Sequence, residues 1–192
     1  MLVQVRSSRD PEPLALDAFE RLGAFVLRME ETPDEIELSV ALVGTDEMAR
    51  LNVQYRGVEG PTDVLSFGCD DPCPAEPGEP VTLGDVIIAP DVALAQAAEF
   101  GTTAESELNL LLVHGVLHLL GYDHETDEDA AAMQAREQLL LAALADAIDY
   151  GEISASCAAV RCCGLSTTRS AGSSTRCARS ATCASTPSPL LS

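Results

Sequence analysis

"HGVLHLLGYDH", His114 to His124, contains every histidine of a 192-residue chain. His114 and His118 are four residues apart, so on a helix their side chains lie one turn apart on the same face. Gly121 can adopt a positive φ, end that helix and reverse the chain, which would return His124 toward the same point. Two imidazoles at this spacing reach one tetrahedral ion at about 2.0–2.1 Å each, and a third leaves the fourth position to water. That is the composition of a catalytic rather than a structural zinc site. The ordinary alternative is a set of helix histidines satisfied by solvent or by neighbours. Three at i, i+4 and i+10, with a glycine placed to turn the chain and no histidine elsewhere, favour the metal. Zinc is the expected ion, one per chain, although nickel and copper also accept imidazole. Asp123 and Glu125 stand close enough in sequence to receive a ring N–H, but acids beside a turn are more often simply solvated.

Outward from the histidines the pattern is helical. Thr103 is placed to cap a long apolar helix reaching Leu120, and Gly121 stops it. Asp91 to Phe100 reads as a preceding helix ended by Gly101, and a following one runs from Thr126 or Asp127 to about Ile148. Toward the N-terminus, residues 1–6 alternate like a short strand, and Pro11 to Met29 has the apolar spacing of an amphipathic helix. Glu35 to Val43, "EIELSVALV", alternates with period two; Gly44 and Thr45 then cap a helix through "DEMARLNVQY". "TDVLSF" and "LGDVIIA" are two further strands, joined by the acidic Pro/Gly-rich loop "GCDDPCPAEPGEP". Its Cys69 and Cys73 are expected as free thiols in a reducing compartment. The order β-α-β-α-β-β-α-α-α predicts an α/β (α+β) fold: a small mixed sheet of about four strands covered by about five helices.

Charge divides the chain. All 31 Asp and Glu lie in residues 1–152 with seven of the eleven arginines, whereas residues 153–192 carry four arginines and no acid. We therefore expect one metal-binding catalytic domain over residues 1–152. Residues 153–192 are rich in Ser, Cys and Arg, show no apolar periodicity, and are read as a disordered tail without assigned function. The net charge of −20 argues against broad, non-specific nucleic-acid binding, which needs cations to neutralise phosphates. It leaves room for a small local arginine site. The N-terminal "MLVQVRSSRD" meets charge before a signal-peptide core can form, and Leu108 to Leu120 is too short to span a bilayer. The expectation is a cytoplasmic protein with no membrane partner.

The histidine and glycine spacing is that of H-E-x-x-H-x-x-G-x-x-H metallopeptidases, yet Gly115 stands where those enzymes carry the glutamate general base. A peptidase reading fails at that step. Taken whole, the stretch instead resembles the signature of the YbeY family, bacterial zinc-dependent endoribonucleases that mature ribosomal RNA. "LNVQYRGVEGPTDVLSFG", Leu51 to Gly68, is similar to a second family segment, and "LGDVIIAP", Leu83 to Pro90, to a third. The three occur in the family's order, and the resemblance covers roughly residues 1–150.

The resemblance implies a fold related to the metallopeptidases, a metal held by His114, His118 and His124, and Arg56 lining the cleft as a catalytic, substrate-binding residue. A guanidinium can pair bidentately with a phosphate and offset charge that develops on it. Without the resemblance, Arg56 would equally be a surface arginine favoured by a helix C-terminal dipole. Thr62, Asp63 and Ser66 are read as capping and hydrogen-bonding residues, while Asp85 and Asp123 are candidates to support a ligating ring. The implied partners are single-stranded ribosomal RNA and the small ribosomal subunit or its proteins, with no DNA. Three functions remain open: an endoribonuclease of 16S rRNA 3′-end maturation and ribosome quality control, a metal-stabilised assembly factor acting by binding, and a metallopeptidase using another base.

Overall fold

The computed structural model describes residues 1–10, 14–69 and 80–149. Among them the chain runs β1 (Leu2–Ser7), α1 (Leu16–Met29), β2 (Ile36–Leu42), α2 (Thr45–Arg56), β3 (Val64–Gly68), β4 (Val81–Ile88), α3 (Pro90–Phe100), α4 (Ala104–Leu119) and α5 (Asp127–Asp149). The strands form one sheet in the order β1-β2-β4-β3; β1, β2 and β4 are mutually parallel, and β3 pairs antiparallel with β4 at the edge. This is the mixed α/β arrangement anticipated above, element for element.

Some boundaries moved. α1 begins at Leu16 rather than Pro11, and residues 11–13 lie outside the described residues. Gly44 occupies the cap of α2, and Thr45 is its first helical residue with no side-chain capping bond. β3 starts at Val64 because Asp63 turns the chain before it. Its Oδ1 accepts from the Val64 N–H at 2.9 Å and the Thr62 hydroxyl at 3.1 Å, while Oδ2 accepts from Gln96 of α3 at 3.1 Å. The acidic loop with Cys73 and the tail from residue 150 lie outside the described residues, whereas Cys69 is a free, exposed thiol.

Alternation along the strands separates two apolar clusters. Val40, Leu42, Val64, Val86 and Ile88 join residues of α1, α4 and α5 in the larger one. Ala41 and Leu65 face the other way, against Met48 and Leu51 of α2. α4 is thus a central helix, buried from Glu107 to Leu117 on nearly every side. A helix apolar all round has no solvated face and must be enclosed. Its N-terminus is fixed by Thr103, whose hydroxyl accepts from the Ser106 N–H at 3.1 Å.

Two glycines let α4 sit this close to the sheet. A Cβ at Gly115 would stand 2.6 Å from Val86 Cγ1 and 3.1 Å from Ser66 Oγ. Ser66 also donates to the Gly115 carbonyl at 3.1 Å, tying β3 to the helix beside His114. At Gly84 the φ of +147° combines with a virtual Cβ only 2.3 Å from the Phe67 carbonyl and 3.0 Å from Leu119. A register shift in the β2–β4 pairing occurs here, as a bulge would produce. The tight contacts explain why both positions are glycine and fix the height of the histidine-bearing turn above the sheet.

Candidate metal centre

His114 and His118 lie on α4, and His124 on the loop between α4 and α5. The loop is made by Gly121, at φ +93°, after the helix closes through Gly121 N–H to His118 O at 3.0 Å and Tyr122 N–H to Leu117 O at 3.0 Å. A donor atom from each of the three rings lies within 4.8 Å of the others, the one such histidine, cysteine or carboxylate grouping found among the described residues. The ring centroids are 4.6, 5.0 and 5.9 Å apart.

The donor set fits a transition metal. His114 Nε2 and His118 Nε2 are 3.1 Å apart, close to the roughly 3.3 Å separating neighbouring ligand atoms about a tetrahedral ion with 2.0–2.1 Å bonds. His124 Nε2 is buried and has no hydrogen-bond partner. An orphaned buried nitrogen is costly unless something fills its lone pair. Three converging imidazole nitrogens, one of them unsatisfied in the protein itself, answer that need with a cation.

Electrostatics favour a neutral ring at His118. Burial pushes the His118 pKa down to about 4, His114 and His124 push the same way, and the Asp123 carboxylate and a hydrogen bond with the Tyr122 backbone oppose them. The ring is therefore neutral at pH 7, as a ligand must be. Because the folded value lies below the ordinary 6.5, the unfolded chain takes up the proton first on acidification. Stability from this group is complete above about pH 6.5 and is lost as pH falls toward 4. In metal-stripped protein, His118→Gln should remove that share of the pH dependence. The two melting profiles should run parallel above pH 6.5, and the wild type should lose ground to the variant as pH falls from 6.5 toward 4; a wild type that gained on the variant toward pH 4 would contradict the sign.

The acids are arranged differently from expectation. Asp123 Oδ1 accepts from the backbone N–H of His124 at 2.7 Å, so it shapes the loop as well as biasing His118 electrostatically. Asp85 is directed away from the histidines. Its neighbour Val86 packs under Gly115, so alternation sends Asp85 to the opposite face, where it stands 3.6 Å from Arg6. The acid that does reach a ring is Glu137 of α5: its Oε1 lies 2.7 Å from His114 Nδ1. Sequence reading passed over it, although its place in the buried stripe Met133, Glu137, Leu140, Leu144 marks an acid facing inward.

Arg56 ends α2, followed by Gly57 in a left-handed cap. α2 packs on the sheet face opposite α4, and Tyr55 meets Phe67 of β3 edge-on at 4.8 Å between centroids. The end of α2 is thereby fixed at the C-terminal end of the edge strand. Leu119, at the C-terminus of α4, approaches Gly84, whose partner across the ladder is Gly68 of that same strand end.

Comparison with known proteins agrees with the fold. Residues 6–145 match the family model described as Endoribonuclease YbeY. The chain belongs to the YbeY family. Among YbeY proteins, the Endoribonuclease YbeY of Roseiflexus castenholzii is 48% identical over 128 residues, 65% of this chain and 80% of its own. The Endoribonuclease YbeY of Legionella pneumophila strain Corby is 45% identical over 138 residues, 72% of this chain and 85% of the relative. In structure, the chain is similar to TM1509 from Thermotoga maritima, solved in solution, with a TM-score of 0.50 and 27% identity. The match covers 72% of this chain and 86% of that one. Among the described residues, no helix is long and apolar enough to cross a membrane.

Proposed function

We propose that the protein is a metal-dependent endoribonuclease that cuts single-stranded RNA in the cytoplasm, as a hydrolase of ribosomal RNA processing. The reading includes 16S rRNA 3′-end maturation and ribosome quality control, with the small subunit or its proteins as partners. The observation that carries it is the three-imidazole cluster with its orphaned His124 nitrogen, in a chain whose relatives bear the name endoribonuclease. The activity resides in a single domain over residues 1–152, with no role for the tail.

His114, His118 and His124 would hold the ion, and zinc suits an all-imidazole set. When bound, such an ion supplies Lewis acidity and a water that ionises near neutral pH. All three histidines are committed as ligands, so none is free to act as a general base. Arg56 is the residue to bind and orient the phosphate, offsetting negative charge as it accumulates. The peptidase alternative loses ground on packing: Val86 fills the space that a side chain at position 115 would need. The net charge of −20 favours the assembly-factor reading over tight unaided RNA binding, because basic ribosomal proteins could supply the attraction.

Wild type and Arg56→Ala, compared on a single-stranded ribosomal RNA fragment with end-group analysis, separate these readings. A lost phosphate clamp should slow cleavage by about 10²–10³-fold while metal content stays unchanged. Cleavage by Arg56→Ala at the wild-type rate would remove its role. Cleavage that persisted in metal-free protein would mark a contaminating nuclease and put the assembly factor ahead.

A further inference from the structure

We infer that Glu137 is a positioning residue for the metal centre, holding His114 in the tautomer that turns Nε2 toward the other two rings. The inference rests on the reading of the triad as a metal site and adds a residue from a different helix to it. Glu137 lies 23 positions beyond His114, and its Oε1 is 2.7 Å from Nδ1. Both side chains are nearly enclosed, at 12% and 7% exposure, so solvent offers neither much competition nor a replacement. At this distance and burial a carboxylate accepts a charge-assisted bond from a neutral Nδ1–H. With the proton fixed on Nδ1, the lone pair resides on Nε2, the atom 3.1 Å from His118 Nε2. The same bond sets the rotation of the ring and makes its free nitrogen more basic.

The neighbouring residue makes Glu137 dependable. Arg136 donates from Nε to Glu30 Oε1 at 2.6 Å and from its Nη2 to the Met29 carbonyl at 3.0 Å, clasping α5 to the end of α1. Met133, Leu140 and Leu144 bury the face of α5 on which Glu137 sits. α5 is therefore anchored independently of the histidine, and Glu137 meets His114 as a fixed acceptor.

The test uses the full chain, without a histidine tag, as wild type, Glu137→Ala, Glu137→Gln and Arg136→Ala. Zinc affinity is measured by competition with a chromophoric chelator, and the histidine tautomers of metal-stripped protein by nitrogen-15 NMR. Glu137→Ala should weaken zinc binding about 10–100-fold. Glu137→Gln, whose amide oxygen can still accept, should recover part of that loss. Arg136→Ala should lower thermal stability but leave zinc affinity within about twofold. In the apoprotein, only the Glu137 variants should shift His114 away from the Nδ1–H form. Equal loss of affinity in Arg136→Ala and Glu137→Ala would reduce Glu137 to a helix-docking role, and an unchanged His114 tautomer in Glu137→Ala would overturn the inference. A wild type that bound no zinc yet showed the tautomer shift would instead fault the metal-site reading and leave the Glu137–His114 bond standing.

Discussion

His118→Ala should lose its metal and at least about 10³-fold of its RNA-cleaving activity while keeping its fold. Lewis-acid stabilisation by a bound ion is worth several kcal/mol in a transition state, and about 4 kcal/mol corresponds to three decades of rate. Two remaining imidazoles cannot replace the third, because His114 and His124 are fixed by α4 and by the Gly121 turn, with ring centroids 5.9 Å apart. The fold should survive because His118 is only half-buried. Metal analysis, cleavage of single-stranded ribosomal RNA and circular dichroism on one preparation read all three. Wild-type cleavage with no bound metal would detach the activity from the cluster.

Gly115→Glu, which writes the peptidase motif into the chain, should abolish folding rather than create a peptidase. The new Cβ would begin 2.6 Å from Val86 Cγ1, between a helix and a strand that are both buried. Overpacking alone costs about 1–3 kcal/mol. A carboxylate buried there without a partner adds several more, which together consume most of a typical domain's stability. Gly115→Ala provides the graded control. It carries only the overpacking term, and at roughly 2–4 °C per kcal/mol it should melt up to about 10 °C lower. A stable, well-folded Gly115→Glu would show that α4 can lift from the sheet, and the packing argument against the peptidase would fall.

The legible parts of the site were those governed by local geometry. The i, i+4 spacing of His114 and His118 needs only a helix, and the return of His124 needs only a glycine able to turn at position 121. Thr103 and Gly101 marked a cap and a stop through backbone preferences that act over a few residues. Asp85 shows the limit: its strand was recognisable, but which face α4 would cover depended on how Gly84 and Gly115 pack. Glu137 failed for the same reason from the other side, since its partner sits on another helix. An acid within an apolar stripe signals burial but does not name what it meets. Arg56 was reached only through the resemblance; the end of a helix looks alike whether or not a phosphate docks there.

Metal content of the protein purified without a histidine tag, after dialysis against buffer containing trace zinc as its only transition metal, tests the central claim most directly. The geometry of His114, His118 and His124 predicts about one zinc per chain, removed by a chelator together with RNA cleavage and restored with it. A stoichiometry near zero, unchanged by His118→Ala, would contradict the account.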